Sequence, residues 1–160
     1  MAGSYLLRSR ASAAGWTIKT ITAGGRDYFD TPFDASTGRD IDGVVVTMID
    51  RLATIAGSVR ESGGSRTSSG AVVIFPVNPQ GWASYGLFPT RLRNVSVTTS
   101  GAFEITRLQA GEYYVVGVET SQARGWQDPR WLEQMAGTAT RVTVGWGETR
   151  NVDLTKVVLR

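Results

Sequence analysis

Residues Gly101–Glu119, GAFEITRLQAGEYYVVGVE, decide the fold that this sequence predicts. In the first half, Phe103 and Ile105 alternate with polar neighbours, whereas residues 113–118 in the second half are apolar at nearly every position. Alternation with a period of two is typical of a strand with one buried face, and a continuous apolar run is typical of a strand buried on both faces. The stretch therefore predicts two consecutive strands of an all-β fold, with Leu108 closing the end of the core where the chain crosses between sheets.

Composition supports the all-β prediction. The chain has 160 residues, of which 41% are hydrophobic and 19 are glycine. This hydrophobic content is sufficient for a packed core, and abundant glycine, threonine and valine favour strands joined by tight turns. The net charge is +3, and it comes from 15 scattered arginines rather than from the 2 lysines. A nucleic-acid interface requires basic residues clustered on one face, so we expect no nucleic-acid partner.

The residue types that are missing exclude several functions. The sequence contains no cysteine and no histidine. Without histidine, a Ser-His-Asp or Cys-His catalytic constellation is impossible. Two pairs of acidic residues, Asp27 with Asp30 and Asp40 with Asp42, lie in glycine-rich turns and are interpreted as solvated caps rather than catalytic carboxylates. No apolar run approaches the ~20 residues of a membrane-spanning helix. We therefore expect no enzyme, no catalytic residue, no cofactor and no membrane span.

Residues 51–160 read as a complete module. Seven stretches have strand-like patterns, at 52–61, 70–78, 91–99, 101–107, 111–118, 139–147 and 148–159. One helix is predicted near 128–136, because Asp128 is a favourable N-cap, Pro129 suits the first helical position, and Gly137 follows the end. The pattern indicates a seven-stranded β-sandwich with one short helix.

Residues 1–50 read as an incomplete copy of that module. Residues 2–5, AGSY, match residues 110–113, AGEY, and Gly15-Trp16 matches Gly125-Trp126 in the same order. A Thr/Val/Ile strand and a strand opening with an acidic turn follow in both places. Matched features in a fixed order are typical of an internal repeat. We therefore expect residues 1–50 to be a partial module made of the last three strands of the repeat.

Residues 53–119 resemble a known family. The stretches TIAGSVRESGG, AVVIFPV and GAFEITRLQAGEYYVVGV are similar to the carboxypeptidase regulatory-like domain of bacterial secreted multi-domain proteins. The resemblance implies a prealbumin-like (transthyretin-like, Ig-like Greek-key) β-sandwich, an accessory, binding or stalk role, and a location that is extracellular or in the cell envelope. It is carried by Gly57, Val59, Val72, Val73, Phe75, Gly101, Phe103, Leu108, Gly111, Tyr113 and Val115. Related collagen-adhesin modules carry an isopeptide bond that needs a lysine in the first strand; residues 52–61 have none, so no such bond is expected.

The loop at 78–90 contains the first candidate binding site, formed by Trp82, Tyr85 and Phe88. Flat aromatic faces on loops are typical of sugar-binding modules, and starch-binding relatives use them. The alternative is a loop that folds its aromatic rings onto its own sandwich. Trp126 has a counterpart in Trp16 in the repeat, which favours a packing role for both.

The segment 27–42 is rich in aspartate, a residue type that binds calcium in proteins. Its aspartates are Asp27, Asp30, Asp34, Asp40 and Asp42. Oxygen-rich loops can hold Ca²⁺, but this spacing matches no calcium loop, and Arg26 and Arg39 supply counter-charges. We assign no metal site and leave calcium in this loop open.

The strand at 43–49 is the second candidate site. A module that lacks its first strands leaves unpaired N–H and C=O groups at a sheet edge. Such an edge can accept a strand from another chain, and head-to-tail repetition of the contact would give filaments. We assign Val44, Val45, Val46 and Met48 as the candidate assembly edge. The alternative is a small sheet sealed by its neighbouring domain.

The function that these observations favour is a non-enzymatic extracellular structural and interaction module, a building block of fibres. Its partner would be protein, either a second copy or neighbouring domains of a longer parent. The alternative function is a carbohydrate-binding module with a polysaccharide ligand.

Overall fold

A computed structural model of the protein describes residues 3–8, 15–82 and 91–158. The chain divides into two compact units, Met1–Arg51 and Leu52–Arg160. Strands dominate both units, which confirms the all-β fold class. In the described ranges no helix has the length and apolar character needed to cross a membrane.

The described residues of the second unit, 52–82 and 91–158, contain seven strands in two sheets. They are β6 Ala53–Arg60, β7 Ala71–Pro76, β8 Arg93–Ser96, β9 Ala102–Leu108, β10 Gly111–Val118, β11 Thr140–Val144 and β12 Thr149–Thr155. The order is β11-β10-β7-β8 in the four-stranded sheet and β12-β6-β9 in the three-stranded sheet. All neighbours are antiparallel except β6 and β12, which run parallel. The predicted β-sandwich is confirmed.

The main core lies between these sheets. One sheet contributes Ile55, Phe103 and Leu154, and the other contributes Ile74 and Val115, all in one buried apolar cluster. Leu108 belongs to the same cluster and has no exposed surface, at the point where the chain leaves β9 for β10. The core thus follows the period-two pattern of the strands, and the intervening residues lie on the opposite face of each sheet.

A second apolar layer covers the other face of the four-stranded sheet. Helix α1, Pro129–Ala136, begins after Asp128, whose side chain accepts a 2.9 Å hydrogen bond from the backbone of Arg130. Leu132 and Met135 of this helix pack with Phe75 of β7. Two short 3₁₀ turns, Pro79–Trp82 and Gln122–Gly125, complete the cover. Because β7 lies between this layer and the main core, every residue of β7 is buried. The predicted helix is confirmed.

Strands β6 and β12 approach one another unusually closely at Gly57. A Cβ atom placed on Gly57 would overlap the carbonyl carbon and oxygen of Val152. Gly57 is paired with Val152 on one side and with Phe103 of β9 on the other. The absence of a side chain therefore permits the parallel ladder at this point.

Where the structure describes it, the first unit contains five strands: β1 Ser4–Tyr5, β2 Thr17–Ala23, β3 Arg26–Asp27, β4 Phe33–Asp34 and β5 Val45–Ile49. They form a three-stranded sheet, β3-β2-β5, and a separate pair, β1-β4. A small core contains Ile18, Ile21 and Phe29. Phe33 joins it and stacks on Tyr28, with ring centroids 4.1 Å apart.

The strand pairing of the first unit differs from that of the second. In the predicted repeat, β1, β2 and β5 correspond to β10, β11 and β12. Strand β10 pairs with β11, but their counterparts β1 and β2 do not pair with each other, because β1 pairs with β4. Conversely, β2 pairs with β5, but their counterparts β11 and β12 do not pair with each other. Trp16 is 44% exposed, so the expected packing role for this ring is wrong, whereas Trp126 packs on the second apolar layer. The partial repeat stays a prediction that strand pairing does not support.

Candidate interaction surface

Strand β5 forms an edge of the first unit's sheet and exposes large apolar side chains. Within β5, Val45 is 58% exposed, Val46 42% and Met48 37%, and Val44, directly before the strand, is 39% exposed. These are the residues assigned from the sequence as the assembly edge. Strand β5 pairs with β2, and within the described part of the chain no strand pairs with its other side. The structure thus places this apolar segment at a sheet edge accessible to another strand.

The backbone of β5 directs hydrogen-bonding groups toward the open side. The carbonyl of Ile21 in β2 accepts from Tyr28 at 2.7 Å, and its N–H donates to the Asp27 carboxylate at 3.4 Å, so both groups point away from β5. Ile21 lies directly opposite Val46. The two residues therefore form a non-hydrogen-bonded pair, in which Val46 also directs its N–H and C=O away from its partner. The pairing has an irregularity between Ile18 and Thr20 of β2, but β5 itself is continuous there, so alternation along β5 gives Met48 the same direction.

The apolar face of the sheet continues onto this edge. Met48 lies opposite Ile18, and Val46 lies opposite Ile21, so the four side chains share one face. Ile18 is 7% exposed and Ile21 fully buried, in contrast to the two β5 residues. A further strand beside β5 would cover the exposed part of this face.

The aromatic candidates do not form an exposed platform in the described residues. Trp82 is 8% exposed and packs edge-on against Phe75 at 5.7 Å. Its indole N–H donates a 2.7 Å hydrogen bond to the carbonyl of Pro76. The other two candidates, Tyr85 and Phe88, lie outside the described residues. For Trp82, burial and a satisfied indole N–H favour the packing alternative.

A groove lies beside Trp82. It encloses about 460 Å³ and is lined by Trp82, Tyr114 and Pro79, with Arg130 and Glu133 of helix α1 among the other lining residues. The groove combines aromatic surface with two opposite charges.

Replacing Trp82 by phenylalanine tests the packing role. The change keeps an aromatic ring against Phe75 but leaves the Pro76 carbonyl without its donor. We expect the free energy of unfolding to fall by about 1 kcal/mol. Urea denaturation measures this, and Trp16→Phe, at an exposed ring, is the control with an expected change below about 0.5 kcal/mol. An unchanged stability in Trp82→Phe would contradict the packing role.

The acidic segment uses its carboxylates in turns. Asp27 accepts a 2.8 Å hydrogen bond from the backbone of Phe29, and Asp34 accepts a 2.9 Å bond from the backbone of Ser36. The hydrogen bonds from Ser36 lower the pKa of Asp34 below its ordinary value. Among the described residues, no group of three or more acidic side chains is arranged to hold a metal ion. Turn capping accounts for both carboxylates.

Sequence reasoning missed a charge cluster around a buried lysine in the second unit. Lys156, directly after β12, is 4% exposed in its side chain. Its Nζ lies 2.6 Å from a carboxylate oxygen of Glu61, 2.6 Å from one of Glu119, and 3.1 Å from the hydroxyl of Thr67. One feature of the sequence indicates this cluster: Lys156 is a single charged residue directly before the apolar residues 157–159.

The neighbouring carboxylates stabilise the protonated form of Lys156. Burial alone lowers the pKa of Lys156, but hydrogen bonds and charges from Glu119 and Glu61 outweigh burial and raise the pKa above its ordinary 10.5. The hydrogen bond from Lys156 lowers the pKa of Glu61 below its ordinary 4.5. A protonated amine is not a nucleophile. The arrangement therefore serves as an ionic tie, which joins the end of β12 to the segments that follow β6 and β10.

Comparison with known proteins gives similarity in structure only. No protein-family model matches the sequence, and no curated protein matches it. Several solved structures do. A Streptococcal ancillary pilin is 13% identical with a TM-score of 0.44, and the match covers 97% of this chain and 45% of that one. The Bacillus anthracis TIE protein is 12% identical with a TM-score of 0.41, covering 74% of this chain and 19% of that one.

A third structure, the pilus 2b backbone protein of group B streptococcus, is 15% identical with a TM-score of 0.38, covering 93% of this chain and 51% of that one. The present chain thus spans about a fifth to about a half of the length of these three proteins. Similarity at this level carries no conclusion about function.

Proposed function

We propose that this protein is a non-enzymatic structural and interaction module that assembles with protein strands through β5. The observation that carries the proposal is the open edge of β5, where exposed valines and Met48 coincide with outward-directed backbone groups. A long apolar edge strand is a site for strand addition unless it is covered or interrupted by charge. Residues 44–49 contain no charged residue. The proposal does not depend on the internal repeat.

The proposal also includes the location of the protein and its role in a larger assembly. We place the module outside the cell or in the cell envelope, as a building block of fibres. The resemblance of residues 53–119 to carboxypeptidase regulatory-like domains supports this setting, and the β-sandwich architecture is compatible with it. A stalk or fibre subunit requires protein contacts and no reacting groups, in keeping with a sequence that lacks histidine and cysteine.

The replacement Val46→Lys tests the proposal. It places an ammonium group on the apolar face of β5, at the edge where a partner strand would pack. We expect the wild-type protein to increase in average mass with concentration in light scattering. In the variant the dissociation constant should rise by about 30-fold, because a self-contact loses about 1 kcal/mol of apolar burial in each copy.

Val158→Lys is the matched control, since Val158 is exposed (64%) but lies outside β5. Its association should equal that of the wild type. An equal loss of association in both variants would assign the effect to charge in general. A wild type that remains monomeric at every concentration and is retarded on a polysaccharide gel would support the carbohydrate-binding alternative.

A further inference from the structure

Strand β5 is complementary to a second copy of itself. Antiparallel strands related by a two-fold axis place one residue opposite its own counterpart. With Thr47 at the axis, the five residues of β5 overlap completely. Val46 then faces Met48 of the second copy, and Val45 faces Ile49. Every pair in this register is apolar with apolar or threonine with threonine, and such pairs stabilise a sheet.

The directions of the backbone groups agree with this register. Val46 directs its N–H and C=O groups to the open edge, as shown by the hydrogen bonds of Ile21, and alternation along β5 assigns the same direction to Met48. In the full-overlap register these two residues face one another across the axis and exchange hydrogen bonds. Thr47 directs its groups toward β2, so the Thr47 pair is the closely spaced, non-hydrogen-bonded type.

The apolar faces also match. A two-fold axis perpendicular to the sheet leaves both copies with the same face on the same side. The buried residues Ile18 and Ile21 and the exposed Val46 and Met48 lie on one face in each copy. Pairing therefore joins two incomplete apolar faces into one sheet of order β3-β2-β5-β5-β2-β3.

Overlap distinguishes this register from its neighbour. Strand β5 runs from Val45 to Ile49, and the left-handed φ of 66° at Gly43 ends the extended chain before it. With the axis at Val46, only residues 45–47 of the two strands would lie opposite one another, and Thr47 would face Val45. With the axis at Thr47, all five residues are paired and threonine faces threonine.

We propose that two copies of this chain pair through β5 in antiparallel register about Thr47. The inference rests on the proposed function and identifies its partner as a second copy. Because a two-fold contact uses the same surface on both copies, it closes as a dimer. Fibre growth then uses the dimer as its unit and a different surface for the next contact.

Charge exchange at Thr47 tests the pairing. Thr47 is exposed and lies opposite Thr20, on the face away from Ile21. Either Thr47→Lys or Thr47→Glu alone should weaken self-association about five-fold, because like charges meet at the axis. An equimolar mixture of the two variants should restore association. Thr143→Lys, at an exposed threonine on the edge strand β11, should have no effect.

A disulfide provides a second measurement. The sequence has no cysteine, so Thr47→Cys introduces a unique thiol. Facing Cα atoms in a non-hydrogen-bonded pair are about 4.5 Å apart, which lies within the roughly 4.4–6.8 Å that a disulfide spans. A mild oxidant should convert Thr47→Cys to a covalent dimer, and leave Thr143→Cys mainly monomeric at equal concentration.

The results of these experiments distinguish a wrong Thr47 register from a wrong proposed function. If the wild type associates and Val46→Lys weakens association as expected, but the Thr47 variants neither complement nor cross-link, β5 pairs with a different strand. The register is then wrong and the proposed function stands. If the wild type is monomeric and Thr47→Cys does not cross-link, both are overturned. Complementation together with cross-linking supports both.

Discussion

Replacing Gly57 by alanine is expected to lower the free energy of unfolding of the second unit by about 3 kcal/mol. The new Cβ atom would overlap the carbonyl group of Val152. That carbonyl belongs to the backbone of β12, which is fixed by its parallel ladder with β6 over seven residue pairs. Neither strand can move aside without breaking this ladder, so the clash costs more than an ordinary overpacking change.

Urea denaturation of Gly57→Ala measures this loss, and hydrogen exchange should show faster exchange in β12. Gly63→Ala is the matched control, because no atom lies within 4 Å of the position where its Cβ would be. We expect it to be neutral or slightly stabilising, through a smaller entropy of the unfolded chain. A Gly57→Ala protein as stable as the wild type would show that β6 and β12 do not approach as closely as described.

Replacing Lys156 by methionine is expected to lower the free energy of unfolding by about 2 kcal/mol. The change removes the ammonium group that binds Glu61 and Glu119 and leaves their carboxylates facing each other. Breaking a fully buried ion pair costs about 3–5 kcal/mol. The expected loss is smaller here because the Glu61 and Glu119 side chains are 38% and 42% exposed and can be hydrated.

The pH dependence of this difference has a defined sign. The pKa of Glu61 is lowered in the folded state, so its contribution is present above its ordinary pKa of 4.5 and is lost as the pH falls through the folded value. The pKa of Lys156 is raised, so its contribution is complete below 10.5 and is lost as the pH rises through the folded value. The stability difference between wild type and Lys156→Met should therefore be largest between these limits and shrink on both sides.

Chemical denaturation at a series of pH values measures the difference. Arg150→Met is the control, since Arg150 forms an exposed ion pair with Glu148 at 2.7 Å. Exposed pairs contribute little, so its effect should stay below about 1 kcal/mol and vary less with pH. A Lys156→Met effect that equals the Arg150→Met effect at every pH would contradict the stabilising role of the Lys156 cluster.

Local sequence patterns predicted strands and the helix well in the second unit. Each of the seven expected strands is present within the predicted limits or one residue beyond them, and α1 begins directly after Asp128 as its capping residues indicate. Periodicity and capping are properties of neighbouring residues. The partners of each strand are not, and the parallel pairing of β6 with β12 joins residues about a hundred positions apart.

The candidate sites show the same limit. Exposure of Val45 and Met48 followed from an apolar strand expected at a sheet edge. The burial of Trp82 could not be predicted from the sequence, because the residue pattern of loop 78–90 does not reveal the apolar layer that Phe75 and α1 form together. The Lys156 cluster brings together Glu61, Thr67 and Glu119, which no local spacing connects.

The parallel ladder also determines how the second unit responds to tension. Strand β6 is the first strand of the unit and β12 is the last, and they are direct neighbours. Because β6 and β12 are parallel, a force applied to the start of β6 and the end of β12 pulls the two strands past each other along their lengths. In that direction the ladder hydrogen bonds share the load and must rupture together, instead of opening one after another as in a zipper. This arrangement predicts that the second unit resists stretching along the line between its first and last strands.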